Sequence, residues 1–292
     1  MALRDYLLSE VTHDYADAVV TRREAMRRLG LLGLSAAAAG ALLAACGGDR
    51  APEQSETRPT DTLAPPRSPS AVEDVTFAGP RGDVFGAFAA APKAKGAVLV
   101  IHEIFGLTDH IRSLPLRFAA DGYTALAIDL LSEEGGTAAV ADDTFGVLGG
   151  ASEERLVADM RAGLGELERR EPDVELAAVG FCFGGGMVWA LVASGDPRLA
   201  AAVPFYGTPP DDADFSGSKA AVLAIYGELD ARVNGTREQA VAALEAAGLT
   251  HEVRTFAGAD HGFFNDTSPR YNATAAAEAY PAVLDWFAEH LA

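Results

Sequence analysis

The sequence predicts an α/β fold in which helices flank a mostly parallel central sheet, and two patterns lead to this prediction. Continuous apolar runs of about four to eight residues, the length of strands buried on both faces, recur through the chain. Segments with helical periodicity lie between them, and a helix between two strands carries the chain back so that the strands run parallel. A chain of 292 residues, 49% of them hydrophobic, is sufficient for one such domain and an appendage.

Eight strands and five helices follow from these patterns. Strands are expected at residues 75–78, 84–89, 97–102, 123–129, 176–181, 200–206, 221–226 and 252–257, and helices at residues 109–120, 153–169, 184–193, 236–247 and 273–290. In such sheets functional groups gather at the carboxyl ends of the strands. Glu103, Cys182, Asp230 and His261 all follow predicted strands, so we expect them to lie at one edge of the sheet.

Charge and cysteine content exclude several classes of protein. Acidic residues outnumber basic ones by 42 to 23, and the formal net charge of −19 argues against a nucleic-acid partner, which requires clustered Lys and Arg. The chain has two cysteines, Cys46 and Cys182, so a scaffold with several disulfides is excluded. Beyond the N-terminal region no apolar run reaches the ~20 residues that span a bilayer. We therefore expect a water-soluble body.

Residues 1–46 have the architecture of an export signal. Arg22 and Arg23 resemble a twin-arginine motif and precede an apolar stretch of small residues. Residues 43–46, LAAC, resemble a bacterial lipobox, in which Cys46 receives a lipid and becomes the first residue of the mature protein. This predicts an envelope lipoprotein held at the membrane through Cys46. The alternatives are a retained membrane-anchoring helix or a buried amphipathic helix. Residues 1–20 form a charged leader with no assigned role.

Residues 47–71 are rich in Pro, Ser, Thr and charged residues and nearly lack large apolar side chains. Such a composition cannot build a core. The sequence therefore predicts a disordered tether that joins a lipid anchor to a folded domain of residues 72–292.

The segment GFCFGG, residues 180–185, has the G-x-nucleophile-x-G spacing of a sharp turn from a strand to a helix. Glycines at Gly180 and Gly184 leave room for this strained turn, which would present Cys182. The positive end of the following helix favours a thiolate. The alternative is an inert buried cysteine, the commoner fate of a single Cys.

A cysteine nucleophile needs a group that accepts and returns a proton. His261, in AGADHGFF, is the candidate, and Asp230, in YGELD, can orient its ring and stabilise its charged form. The chain order of nucleophile, acid and histidine is the one expected for α/β-hydrolases. Taken singly, a loop His or Asp is more often part of the polar surface.

Other kinds of site are less well supported. His102 and Glu103 are not followed by the second histidine of an H-E-x-x-H zinc motif, because Gly106 occupies that position, so neither a metal nor a cofactor is expected. No serine stands in an equivalent turn, which argues against a serine esterase. A non-catalytic lipoprotein that keeps the fold as a binding module remains the second hypothesis, because fold alone does not prove activity.

The motifs GFCFGG, YGELD and AGADHGFF, together with IHEIFG and VPFYG, resemble those of the dienelactone hydrolase family. The resemblance covers residues 72–292 and implies an α/β-hydrolase fold and hydrolysis of an ester or lactone. It implies that Cys182, Asp230 and His261 form the catalytic triad. It also implies that Glu103 contacts the resting cysteine and restrains its thiolate. Finally, it implies that the backbone N–H groups of Ile104 and Phe183 form the oxyanion hole.

The sequence departs from this family at one position. The family holds its substrate carboxylate with arginines, one of them four residues beyond the catalytic histidine, where this chain has Asn265. Arg155 and Arg270 are possible replacements, but the sequence places neither side chain in the pocket. The departure predicts a substrate that lacks this carboxylate.

Overall fold

A computed structural model of the chain describes residues 3–16, 19–45 and 72–291. Its body is a single sheet of eight strands. The strands are β1 (Glu73–Gly79), β2 (Gly82–Ala89), β3 (Ala97–Ile101), β4 (Thr124–Asp129), β5 (Leu176–Phe181), β6 (Leu199–Phe205), β7 (Ala221–Gly227) and β8 (His251–Phe256). All eight predicted strands are found, with ends within two residues of the predicted ones, and the predicted α/β fold is confirmed.

The strand order in the sheet is β1-β2-β4-β3-β5-β6-β7-β8. Strands β1 and β2 form an antiparallel hairpin, and β2 pairs antiparallel with β4. All other pairs are parallel. Every residue of β3, β4, β5 and β7 is buried. These strands are therefore mostly apolar, with Thr124 and Asp129 at the ends of β4 as polar exceptions, because side chains on both faces of the sheet are covered.

Helices connect and cover the strands. They are α4 (Asp109–Ala120), α5 (Thr144–Gly150), α6 (Glu153–Arg170), α7 (Phe183–Ala193), α8 (Ala231–Asn234), α9 (Arg237–Ala247) and α10 (Ala273–His290). Side chains cap several of them: Thr108 accepts a hydrogen bond at the start of α4, Ser152 at α6 and Asn272 at α10. The five predicted helices are found, whereas α5 and the single turn α8 were not predicted.

Three further helices precede the sheet: α1 (Leu3–Ala16), α2 (Arg22–Leu31) and α3 (Ala36–Ala45). Leu7 and Val11 of α1 and Leu29 of α2 are completely buried. Leu7 lies against Gly149 of α5, so the N-terminal helices pack on the body. The leader that had no assigned role is thus an ordered helix.

Within the described ranges, no helix has both the length and the apolar character needed to cross a membrane. The apolar stretch of the proposed export signal forms α3, which has ten residues. Cys46 and the proposed tether, residues 47–71, lie outside the described residues.

Candidate active site

Cys182 occupies the sharp turn between β5 and α7. Its φ of 56° and ψ of −117° lie in a region that residues other than glycine rarely adopt. A Cβ atom on Gly184 would lie 2.5 Å from the carbonyl oxygen of His102, and one on Gly180 would lie 2.5 Å from the carbonyl carbon of Gly184. Both positions require glycine, because a side chain at either would overlap the backbone of the turn or of the chain after β3.

His261 and Asp230 meet beside this turn. His261 Nδ1 lies 2.7 Å from Asp230 Oδ2, while Asp230 Oδ1 accepts a hydrogen bond of 3.1 Å from the backbone N–H of Val233 at the start of α8. Both side chains are buried, at 4% and 0% exposure. Since the carboxylate holds Nδ1, the other ring nitrogen is the one available for chemistry.

Glu10 of α1 enters the same site, although no sequence pattern predicted this position. Its Oε1 lies 3.1 Å from His261 Nε2 and 3.8 Å from Cys182 Sγ. The hydroxyl of Tyr6, one helical turn earlier, lies 3.7 Å from the same sulfur. Two of the side chains that contact the Cys182 thiol therefore come from the N-terminal helix.

Arg232 is a second residue that sequence reasoning missed. It lies in α8, the short helix that begins at Ala231 after β7, and its guanidinium pairs with Glu10. Its Nη2 also lies 3.4 Å from His261 Nδ1, and its guanidinium carbon lies 4.9 Å from the centre of the Tyr6 ring. Buried opposite this carboxylate, Arg232 has a pKa above its ordinary value, so it stays charged, although burial alone would lower that pKa.

The charges around His261 keep it protonated. Burial by itself would lower the pKa of His261, but Glu10, Cys182 and Asp230 together raise that pKa well above its ordinary value. Burial raises the pKa of the Cys182 thiol, and Glu10 adds to the increase, whereas His261 opposes it. With Glu10 in place, the arrangement disfavours a thiolate and offers no free proton acceptor.

Glu103 lies at the end of β3, where the sequence analysis placed it, and is buried. Its Oε2 accepts a hydrogen bond of 2.5 Å from the side-chain amide of Asn265. Burial raises the pKa of Glu103 to about 7, although the Asn265 hydrogen bond opposes the increase. Asn265 therefore holds the carboxylate that the resemblance assigns to restraint of the cysteine.

The two backbone groups assigned to the oxyanion hole belong to the start of α7 and to the loop after β3. Phe183 follows Cys182 and is the first residue of α7, so its N–H is among those that a helix leaves without an internal partner. Ile104 lines the cavity that also contains Cys182. The loop that bears Ile104 is fixed by His102, whose Nε2 accepts a hydrogen bond of 3.0 Å from the N–H of Leu130.

A cavity of about 350 Å³ opens beside Cys182 and His261. Arg270 lines it, and its Nη1 donates a hydrogen bond of 2.8 Å to Asp14 of α1. Arg155, the other candidate for a substrate arginine, instead pairs with Glu133 at 2.7 Å, away from the cavity lining. The structure therefore brings Arg270 to the site but not Arg155.

Three donor atoms that a metal could use converge here. Cys182 Sγ, a ring nitrogen of His261 and a carboxylate oxygen of Glu10 all lie within 4.8 Å of one another. Zinc takes ligands of these types. However, the guanidinium of Arg232 already binds Glu10, and a permanent cation beside the carboxylate disfavours a second one. The charges present fit a protonated histidine better than a divalent ion.

The sequence profile of the dienelactone hydrolase family matches residues 85–291. The chain belongs to this family. The match covers β3 to α10 together with most of β2, and it includes Cys182, Asp230 and His261. The chain is therefore a carboxylic ester hydrolase with an α/β-hydrolase fold, as the sequence motifs indicated. The helices α1–α3 lie outside the matched residues.

Relatives and solved structures agree with this assignment. A carboxymethylenebutenolidase-like protein of Salmonella typhimurium is 32% identical over 259 residues, which cover 82% of this chain and 95% of the relative. A similar protein of Synechocystis is 31% identical over 70% of this chain and 91% of its own length. A dienelactone hydrolase-type structure from Klebsiella pneumoniae has 29% identity and a TM-score of 0.65, and it covers 76% of this chain and 100% of its own.

Proposed function

We propose that the enzyme hydrolyses an ester or a lactone through a Cys182-His261-Asp230 triad. The observation that carries the proposal is the strained cysteine between β5 and α7, next to a histidine that a buried aspartate orients at 2.7 Å. Family membership favours this enzyme over a non-catalytic binding module that keeps the fold.

The first half of the reaction transfers the acyl group to sulfur. His261 accepts the thiol proton, and the Cys182 thiolate attacks the carbonyl carbon. The oxygen of the tetrahedral intermediate carries the negative charge, which the N–H groups of Phe183 and Ile104 stabilise. When the C–O bond breaks, His261 returns the proton to the leaving oxygen. The products of this half are an alcohol, or the opened end of a lactone, and a thioester on Cys182.

The second half regenerates the enzyme. His261 removes a proton from water, and the hydroxide attacks the thioester carbonyl. The new intermediate collapses, the carbon–sulfur bond breaks, and Cys182 leaves as a thiol that regains its proton from His261. The acyl group departs as a carboxylic acid. Asp230 stays ionised throughout and stabilises the charged ring.

Replacing the nucleophile tests this mechanism. Hydrolysis of p-nitrophenyl acetate should fall roughly 10³-fold or more in Cys182→Ala, the scale seen when such a unit is broken. A thioester on Cys182 should be detectable by mass spectrometry in the native chain and absent from the variant. Full activity in Cys182→Ala would contradict the assignment.

We infer that the substrate carries a negative group beside the scissile bond. The support is the pair Arg232 and Arg270, both of which bind carboxylates of α1 at the site. The expectation of a substrate without a carboxylate rested on Asn265, but Arg232 and Arg270 supply charge from other positions. Arg232→Gln should lower kcat/KM for a carboxylate-bearing ester more than for p-nitrophenyl acetate. Equal losses for both esters would contradict this inference.

We also propose that the chain is exported as an envelope lipoprotein anchored through Cys46. The support is the twin-arginine pattern and the LAAC segment of the sequence. In cells, Cys46→Ala should abolish processing and the shift of the protein to the membrane fraction. Unchanged processing and fractionation would exclude the lipid anchor.

A further inference from the structure

Helix α1 lies across the active site. The family match begins at residue 85, so α1 lies outside the matched residues. Tyr6 and Glu10 are one helical turn apart, and both reach Cys182 Sγ, at 3.7 and 3.8 Å. Asp14, one turn further on, contacts Arg270 at 2.8 Å. One face of α1 thus supplies three successive contacts to the site.

With α1 in this position two of its side chains cover the sulfur of Cys182. Cys182 is 5% exposed, and Glu10 is equally buried. A reacting carbonyl carbon must come within roughly 3–3.5 Å of the sulfur, and Tyr6 and Glu10 already lie just beyond that distance. The Glu10 carboxylate also binds Arg232 and lies against His261 Nε2. In the open enzyme, Arg232 would hold a substrate anion and His261 Nε2 would accept the thiol proton.

We propose that α1 is an intramolecular inhibitor of the esterase, with Glu10 occupying the position of an anionic substrate group. The inference rests on the proposed function of Cys182. The enzyme is closed while α1 is attached and active once it leaves. Cleavage at Cys46, as proposed above, would remove α1, α2 and α3 together, so maturation would activate the enzyme.

Several contacts hold α1 in the closed position. Leu7 and Val11 are completely buried, and Arg4 donates a hydrogen bond of 2.8 Å to the carbonyl oxygen of Leu32. The Glu10 pair with Arg232 is the contact most sensitive to charge. Removing one partner of a buried ion pair strongly destabilises the packing around it, because the other charge stays buried without a partner. Reversing the charge at residue 10 should therefore release the helix.

The test compares two charge reversals on the same helix of the full-length chain. Glu10→Lys places a cation beside Arg232 and His261, whereas Asp5→Lys makes the same change at an exposed position of α1. Two rates are measured. The first is alkylation of Cys182 by iodoacetamide, quantified by mass spectrometry of the peptide that contains Cys182 so that Cys46 does not interfere. The second is turnover of p-nitrophenyl acetate. If the open state is populated at about 0.1–10%, complete opening raises both rates roughly 10- to 1000-fold.

We expect this increase in Glu10→Lys, and rates close to those of the native chain in Asp5→Lys. Equal alkylation rates in Glu10→Lys and the native chain would overturn the inhibitor role. Faster alkylation without ester turnover would support the role of α1 as a cover of Cys182 but contradict the proposed hydrolysis. The experiment therefore distinguishes a failure of the inhibitor role from a failure of the proposed function.

A second variant covers the case in which Glu10→Lys does not fold. A recognition site for a sequence-specific protease is inserted within residues 47–71, which leaves α1 and the domain unchanged. After cleavage, dilution should release the N-terminal fragment and raise both rates by the same factor. Rates that stay constant after cleavage and dilution would overturn the proposal.

Discussion

The hydrogen bond between His261 Nδ1 and Asp230 Oδ2, 2.7 Å long, determines which ring nitrogen serves the nucleophile. An uncharged amide at position 230 can still contact the ring, but it no longer stabilises the charged form and can favour the wrong tautomer. In the proposed mechanism Asp230 therefore contributes orientation and charge, without a covalent step of its own.

We predict that Asp230→Asn lowers kcat by about 10²-fold, a smaller loss than the roughly 10³-fold or more expected for Cys182→Ala. It should also lower the pKa of His261, because one of the negative groups that raise that pKa is removed. The pH profile of kcat/KM measures the shift. The control is Asp266→Asn, because Asp266 lies in the same loop as His261 but pairs with His110 at 2.8 Å. This variant should retain activity. Full activity in Asp230→Asn would remove Asp230 from the triad.

Glu103 leads to a prediction about stability. Burial raises its pKa from 4.5 to about 7, so between these pH values the folded chain binds a proton that the unfolded chain has lost. The free energy of unfolding therefore falls as the pH rises through this window. Glu103→Gln cannot ionise but keeps an oxygen for the Asn265 amide.

Relative to the native chain, Glu103→Gln should thus gain stability on going from pH 4.5 to pH 8, by up to about 3 kcal/mol. Urea unfolding at both pH values measures the difference. A stability difference that does not vary with pH would show that Glu103 is not protonated in the folded state at neutral pH.

Local sequence signals predicted part of the site and could not predict the rest. Cys182 stands between glycines after an apolar run, and His261 and Asp230 follow strands, so each carries its own local pattern. Arg232 has no such pattern, because an arginine in a short polar segment is usually exposed. The position of Glu10 depends on where α1 packs, and only the tertiary structure determines this.

At the scale of elements, the turn between β5 and α7 depends on two glycines for steric reasons. A Cβ on Gly184 would lie 2.5 Å from the carbonyl oxygen of His102 and closer still to that of Ile101, whereas a Cβ on Gly186 would meet only the carbonyl oxygen of Thr208, at 3.4 Å. The first contact involves backbone atoms that cannot move aside, since they belong to the chain at the end of β3.

We predict that Gly184→Ala destabilises the fold by roughly 2–4 kcal/mol or prevents folding, on the scale of other steric insertions into packed sites. Gly186→Ala, in the same helix, is the matched control and should be neutral or stabilising by up to about 1 kcal/mol, because alanine has the higher helix propensity. Thermal unfolding of both variants measures the difference. Similar melting temperatures would contradict the steric argument.

The elements with strong periodicity were the ones that sequence predicted well. The apolar run of β5 and the helical patterns of α4 and α10 matched the structure from end to end. Helix α5 was missed because Gly149 and Gly150 have low helix propensity; in the structure Gly149 lies against Leu7 and Leu32. Helix α1 was missed because charged residues occur throughout the leader, whereas Glu10 and Asp14 are buried in ion pairs.

At the scale of the whole molecule, the parallel sheet brings together residues that are far apart in sequence. The ends of β3, β5 and β7 supply Glu103, Cys182 and Asp230 to one edge of the sheet. This edge is where open α/β sheets place their binding sites, and α1 covers it. Closure by α1 therefore depends on the charges of every element that meets there.

The final prediction concerns the pH dependence of this closure. The ionisable groups that face His261 or its neighbours come from every element packed there: Tyr6, Glu10 and Asp14 from α1, Cys182 from the turn after β5, Tyr206 after β6, Asp230 and Arg232 around α8, Arg270 before α10, and Glu103 after β3. Glu10 raises the pKa of His261 in the closed state, so closure and protonation of His261 favour each other. The part of the closed-state stability that depends on protonated His261 is fully present below the open-state pKa of His261 and is lost as the pH rises through its closed-state pKa. Despite the burial of Glu10, Arg232 and His261 lower its pKa, so Glu10 acts in the opposite direction, but only below about pH 4.5. Burial also raises the pKa values of Asp14 and Glu103, and the charge of Glu10 raises both further. Protonation of these two carboxyl groups therefore favours the closed state at lower pH, as protonation of His261 does.

Protection of the α1 amides from hydrogen exchange, corrected for the intrinsic effect of pH, should therefore fall between pH 6 and pH 9. The decrease for one proton is at most roughly tenfold per pH unit. Glu10→Gln removes the charge that couples α1 to His261, so its protection should be lower than that of the native chain and nearly constant over this range. Protection that stays constant with pH in the native chain would mean that His261 keeps the same pKa whether or not α1 is bound, and that Glu10 does not control the charge of the catalytic histidine.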